Sequence, residues 1–120
     1  METTRNEVER FLKDFKIKTG IFQIIFLDER GKNAQALLDL EISPIKRKEV
    51  INVLKVEDYS EGPLEEKMRG LLPMWVFGKK VKRQEVYIKI SMGVENSSTI
   101  CISFHLASHP MNYPFKTNQK

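Results

Sequence analysis

The sequence predicts an α+β domain: an antiparallel sheet with helices packed on one of its faces. Three observations carry that expectation. An amphipathic helical stripe opens the chain, the clearest helix start lies further on at Ser43-Pro44, and the last third is rich in β-branched and aromatic residues alternating with polar ones. In the order helix, strand, two helices, three strands, the final strands become antiparallel neighbours joined by short loops.

Each element has a local reason. In Thr4 to Phe15, the apolar Val8, Phe11, Leu12 and Phe15 fall at i, i+3, i+4 and i+7, with Thr3 or Thr4 as N-cap. Gly20 is expected to stop this helix before Ile21 to Leu27, an apolar run that reads as a mostly buried strand. Asp28-Glu29-Arg30-Gly31-Lys32 reads as a turn, after which Asn33 can cap a short helix from Ala34 to Leu40. Ser43 caps the next helix, Pro44 takes its first position, and Val50, Val53 and Leu54 supply its core face. Lys46, Arg47 and Lys48 lie early in that helix, where the macrodipole disfavours cations. They read as a solvated basic turn or as a sign that something anionic sits nearby. Glu57, Asp58 and Glu61 form a solvated acidic loop, and Gly62-Pro63 is a turn signal before a loop or short helix to Gly70. Trp75 to Phe77, Val86 to Met92 and Thr99 to His105 are the three final strands. Gly78 with the basic run joins the first two, and Gly93 to Ser98 joins the last two.

Composition narrows the function classes. With 41% hydrophobic and 30% charged residues, the 120-residue chain is one folded domain over residues 1–120 rather than a disordered one. No apolar run is long enough to cross a bilayer, and METTRNEVER has no apolar signal core, so a cytoplasmic protein without membrane contact is expected. Cys101 is the single cysteine, which excludes an internal disulfide and a Cys-rich zinc module. No glycine-rich phosphate loop occurs, and no cofactor is expected. The net charge is only +4, but Lys79, Lys80, Lys82, Arg83 and Lys89 crowd one stretch against Glu85 alone. Lys79, Lys80, Lys82 and Arg83 are therefore the candidate phosphate contacts for RNA.

Strand alternation gives the last hairpin a face with chemistry on it. Val86, Ile88 and Ile90 point one way and Tyr87, Lys89 and Ser91 the other; Ile100, Ile102 and Phe104 oppose Cys101, Ser103 and His105. One register pairs Ile90 with Ile102, Ile88 with Phe104, Tyr87 with His105 and Lys89 with Ser103. A register slipped by two residues puts Tyr87 beside Ser103. In either, Tyr87, Lys89 and His105 gather away from the core. Such a face suits metal-free RNA cleavage, in which a 2′-hydroxyl attacks the neighbouring phosphate. That reaction needs a proton acceptor, a donor for the leaving 5′-oxygen and a cation for the transition state. Histidine changes charge near neutral pH, lysine stabilises negative charge, and tyrosine donates a proton or stacks on a base. The plainer reading is a wet sheet face of ordinary polar residues.

These same residues carry a family resemblance. RKEVINVLKVEDYSEGP, MWVFGK, EVYIKISMG and ICISFH, between Arg47 and His105, resemble the motility quorum-sensing regulator (MqsR) toxins. Val86-Tyr87-Ile88-Lys89-Ile90 and Ser103-Phe104 are the nearest matches, and about half of the chain is covered. The resemblance implies a RelE-type toxin fold, messenger-RNA endonuclease activity and an antitoxin partner that blocks it. It places the catalytic tyrosine on Tyr87 and the terminal catalytic lysine on His105. It also places a lysine on Glu61 and a glutamine on Val76, so two expected active-site positions lack their chemistry here.

Other constellations are weaker. His105 and His109 have a zinc-binding spacing, but Pro110 and the strand ending at His105 deny them a shared helix. Cys101 lies about 13 Å from His105 along a strand, too far for a Cys–His pair, and reads as a small packing residue. Met111 to Phe115, flanked by Pro110 and interrupted by Pro114, folds back on the sheet or offers aromatic rings to a base; Lys116 to Lys120 is expected to fray. The rivals to a ribonuclease are a non-catalytic RNA- or protein-binding module, and an interaction protein whose basic face docks an acidic partner.

Overall fold

The computed structural model describes residues 2–28 and 31–116; Glu29 and Arg30 of the expected turn, and residues 117–120 of the expected frayed end, lie outside the described residues. The elements run α1 (Arg5–Phe22), β1 (Ile24–Phe26), α2 (Lys32–Leu40), α3 (Pro44–Asn52), a 3-10 turn (Val56–Asp58), β2 (Tyr59–Leu64), β3 (Met74–Val81), β4 (Gln84–Ser91) and β5 (Thr99–Leu106). They form an α+β fold around one five-stranded sheet of order β1-β5-β4-β3-β2. No helix among the described residues is long and apolar enough to cross a membrane.

The sheet is mixed where an antiparallel one is expected, because β1 runs parallel to β5. These strands are far apart in sequence, so no hairpin dictates their direction. What aligns them is the end of α1: Thr99 N–H donates to the Gln23 carbonyl at 3.3 Å, and the Thr19 and Thr99 hydroxyls share a hydrogen bond of 2.8 Å. Gly20 does not stop the helix, which continues to Phe22 and ends at Gln23 with φ 71°. Glycine in an exposed helical turn costs only about 1 kcal/mol, which a helix can carry. The strand that follows is correspondingly short, three residues with Ile25 exposed rather than a long buried run.

Thr4 caps α1 through a reciprocal pair of bonds with Glu7, and the predicted stripe of Val8, Phe11, Leu12 and Phe15 is buried. Phe11 stacks on Trp75 with ring centroids 4.5 Å apart, and Phe15 and Phe77 extend the cluster. Ser43 caps α3 as expected, but Val53 is 51% exposed and Ile51 takes its core position. Arg47 belongs to neither a solvated turn nor an external anion. It is buried, its guanidinium lies 3.6 Å from the Phe26 ring centroid, and it forms a bidentate pair with Asp28 at 3.0 and 3.1 Å.

The acidic loop is structured as well. Tyr59–Leu64 forms edge strand β2, Asp58 is buried against Lys79, and Arg5 pairs with Glu57 at 2.8 Å. Pro63 is tolerated because β2 has no further strand to bond. Gly78, Lys79 and Lys80 are strand residues of β3, and the hairpin to β4 turns only at Lys82 and Arg83, with φ of 50° and 72°.

Asn33 is the largest departure on the helical side. α2 starts at Lys32 with no side-chain cap, and Asn33 turns inward, 1% exposed. The β1–β5 ladder ends where Leu27 N–H donates to the Cys101 carbonyl. Beyond it, the Asn33 amide takes the place of a strand: Nδ2 donates to the carbonyls of Leu27 (2.8 Å) and Ile102 (2.9 Å), and Oδ1 accepts from Phe104 N–H (2.9 Å). Asn33→Ala leaves these buried groups without partners and is expected to destabilise the fold by about 2–4 kcal/mol, read from the urea midpoint at unchanged slope.

Candidate functional site

β4 and β5 pair as Val86↔Leu106, Tyr87↔His105, Ile88↔Phe104 and Lys89↔Ser103, so the register slipped by two residues does not occur. Between Lys89 and Ile90 the ladder shifts by one, and Ile90 faces Cys101 rather than Ile102. This β-bulge inverts the alternation of β5 on its N-terminal side. Cys101 therefore joins the core with Ile88, Ile90 and Phe104, instead of sharing the face of His105. Burial pushes its thiol well above the usual range. Thiol reagents are expected to leave the native protein untouched and to modify Cys101 only as fast as it unfolds, measured by labelling with and without denaturant.

Tyr87, Lys89, Ser103 and His105 thus share the face turned away from the main hydrophobic core. The rings of Tyr87 and His105 are stacked, 13° from parallel with centroids 5.3 Å apart. His105 Nδ1 lies 3.0 Å from the Leu106 carbonyl. That contact favours the proton on Nδ1, which leaves the Nε2 lone pair as a proton acceptor. Tyr87 is half-buried, and burial, seconded by the charge of Glu61, raises its phenol above the ordinary value. A phenol so placed stays protonated at neutral pH and acts as a donor.

The stack stands between two cavities. One, of about 400 Å³, is bounded by Tyr87, by Ser60 and Glu61 of β2, and by residues 107–112. The other, of about 420 Å³, lies between His105 and the Lys32, Gln35 and Asp39 side of α2. Both are within the usual size range of small-ligand sites. Val76, which occupies the expected glutamine position, is fully buried and contributes no polar group.

The segment after β5 folds back as a strap over β3 and β4. Ala107 N–H donates to the Glu85 carbonyl at 2.9 Å. The Glu85 carboxylate then accepts from Met111 N–H at 3.2 Å and from the Tyr113 hydroxyl at 2.5 Å. Burial first, and the Glu85 hydrogen bond and charge next, push the Tyr113 phenol up. Phe115 closes on Tyr59 with centroids 5.4 Å apart. Gly78 makes room for this: a Cβ there would stand 2.2 Å from the Tyr113 oxygen and 2.8 Å from the Met111 sulfur. From sequence alone Gly78 reads as part of a connecting loop and Glu85 has no role; a glycine inside a strand signals such a close approach and is the feature that could have pointed to the strap.

The candidate phosphate contacts do not converge on Tyr87. Lys79 turns toward the helices and bonds Asp58 at 3.1 Å, while Lys82 donates to the Glu41 carbonyl at 2.8 Å. Together with Lys46 and Lys80 they line a groove of about 470 Å³ against α3. Arg83 is exposed at the hairpin tip. Lys89 is the cation that the register places beside the Tyr87–His105 stack. No protein-family model, no curated protein and no solved structure matches the chain.

Because Glu61 helps to hold the phenol neutral, Glu61→Gln is expected to lower the Tyr87 pKa toward its ordinary value of 10.0, read by ultraviolet titration against Tyr87→Phe. The sign follows from charge: removing an anion removes repulsion of the phenolate.

Proposed function

We propose that this chain is a metal-independent endoribonuclease, an RelE/MqsR-like toxin acting on messenger RNA in the cytoplasm and held in check by an antitoxin protein. The observation that carries this reading is the stacked Tyr87–His105 pair, with Lys89 on the next residue pair of the same face and a nucleoside-sized cavity on each side. His105 Nε2 accepts the proton of the 2′-hydroxyl as its oxygen bonds to phosphorus. The bond from phosphorus to the 5′-oxygen breaks, that oxygen takes the Tyr87 phenol proton, and the Lys89 ammonium offsets the charge on the phosphoryl oxygens. The products are a 2′,3′-cyclic phosphate and a 5′-hydroxyl. Lys46, Lys80, Lys82 and Arg83, but not the Asp58-paired Lys79, serve docking of RNA phosphates remote from the cleaved bond, single-stranded or presented by a ribosome.

A second reading, a non-catalytic RNA-binding module, is favoured by one observation. Glu61 stands near Tyr87 where the resemblance places a cation. Purified protein with RNA and EDTA separates the two. Cleavage leaving cyclic phosphate ends, reduced at least ~100-fold in His105→Ala and in Tyr87→Phe, is the expected result. RNA left intact, both alone and with translating ribosomes, yet bound with a steep salt dependence, would establish the binding module instead.

A further inference from the structure

We propose that the cavity beside Tyr87 seats one unpaired nucleobase bearing an exocyclic amino group, with the strap of residues 107–112 as its wall and the Glu85–Tyr113 contact as the latch of that wall. The proposal deepens the ribonuclease reading and rests on its assignment of this face to RNA. Three features select a base rather than a phosphate. His105 covers one face of the Tyr87 ring, and the cavity is bounded by Tyr87 but not by His105, so it opens on the side of Tyr87 away from the stack. The Glu61 carboxylate at the rim repels phosphate and accepts hydrogen bonds only. Lysines line the groove against α3 and none lines this cavity.

The same carboxylate chooses among bases. Adenine, cytosine and guanine present amino N–H groups, whereas uracil presents two carbonyl oxygens flanking a single N–H. Those oxygens meet the Glu61 charge unfavourably. The strap is built rather than draped: Glu85 accepts hydrogen bonds from Met111 N–H in the wall and from the Tyr113 hydroxyl just beyond it, and Gly78 leaves room for both side chains. Glu85 is thus a positioning residue, acting on the seat through Met111 and Tyr113.

Binding tests this without cleavage, so intact RNA and an empty seat are distinguishable failures. The four 5′-mononucleotides and inorganic phosphate are titrated separately into isotope-labelled protein and followed by amide resonances. The expected result is shifts at Glu61, Tyr87 and Ser108 to Asn112, with AMP, CMP and GMP bound at least about fivefold tighter than UMP. Glu61→Gln is expected to bring UMP within about twofold of the others, since a carboxamide also donates. Tyr113→Phe is expected to weaken all four alike and to speed hydrogen exchange at Met111, and Gly78→Ala to do both more strongly with the sheet's amides unchanged. Equal binding of all four nucleotides, the same shifts from phosphate alone, or shifts confined to the lysine groove would each overturn the proposal.

Discussion

The geometry of the site depends on how β5 is held at its bulge. Ile102 is the extra residue there, and the Asn33 amide bonds both its carbonyl and the N–H of Phe104. An edge of β5 that β1 is too short to cover is thereby completed by a side chain. With the bulge pinned, two incompatible demands are met along one strand. Cys101 packs inward, and four residues later His105 still points outward at Tyr87. Without the extra residue, strict alternation would put Cys101 and His105 on one face.

Charge is divided by the sheet. On the helix side, Arg47 is committed to Asp28 and Lys79 to Asp58, so part of the basic excess is structural. The Arg47 pair is sheltered by Phe26, which shows how a cation early in a helix is tolerated: its counter-ion comes from the loop before α2. On the other side, the Tyr87–His105 stack sits beside Lys89 on one hand and Glu61 on the other. Lys89 and Glu61 thus give the two sides of the stack opposite charge.

The strap links these regions. Its hold on Glu85 and its passage over Gly78 place residues 107–112 at one cavity, and Ser108 also borders the second, next to His105. Flexibility at the strap would therefore be felt on both sides of the stack, and its far end reaches the core as well, where Phe115 packs on Tyr59 and Tyr59 meets Trp75 and Phe77 edge-on.

The local patterns of the sequence determined much of this molecule. The α1 stripe, the Ser43-Pro44 start, the three C-terminal strands and the juxtaposition of Tyr87, Lys89 and His105 follow from periodicity, capping and strand parity, which act over a few residues. Tertiary structure decided what depends on partners distant in the chain. The parallel direction of β1, the edge strand at Tyr59–Leu64, the burial of Arg47 and the inward turn of Asn33 each answer a group at least ten residues away. The bulge belongs with them. Ile100, Ile102 and Phe104 alternate as though the strand were regular, and only competition for space in the core, with the Asn33 amide waiting on the edge, shifts the ladder by one. Periodicity carries no record of that competition, because it reports which residues can share a face and not which face has room for them.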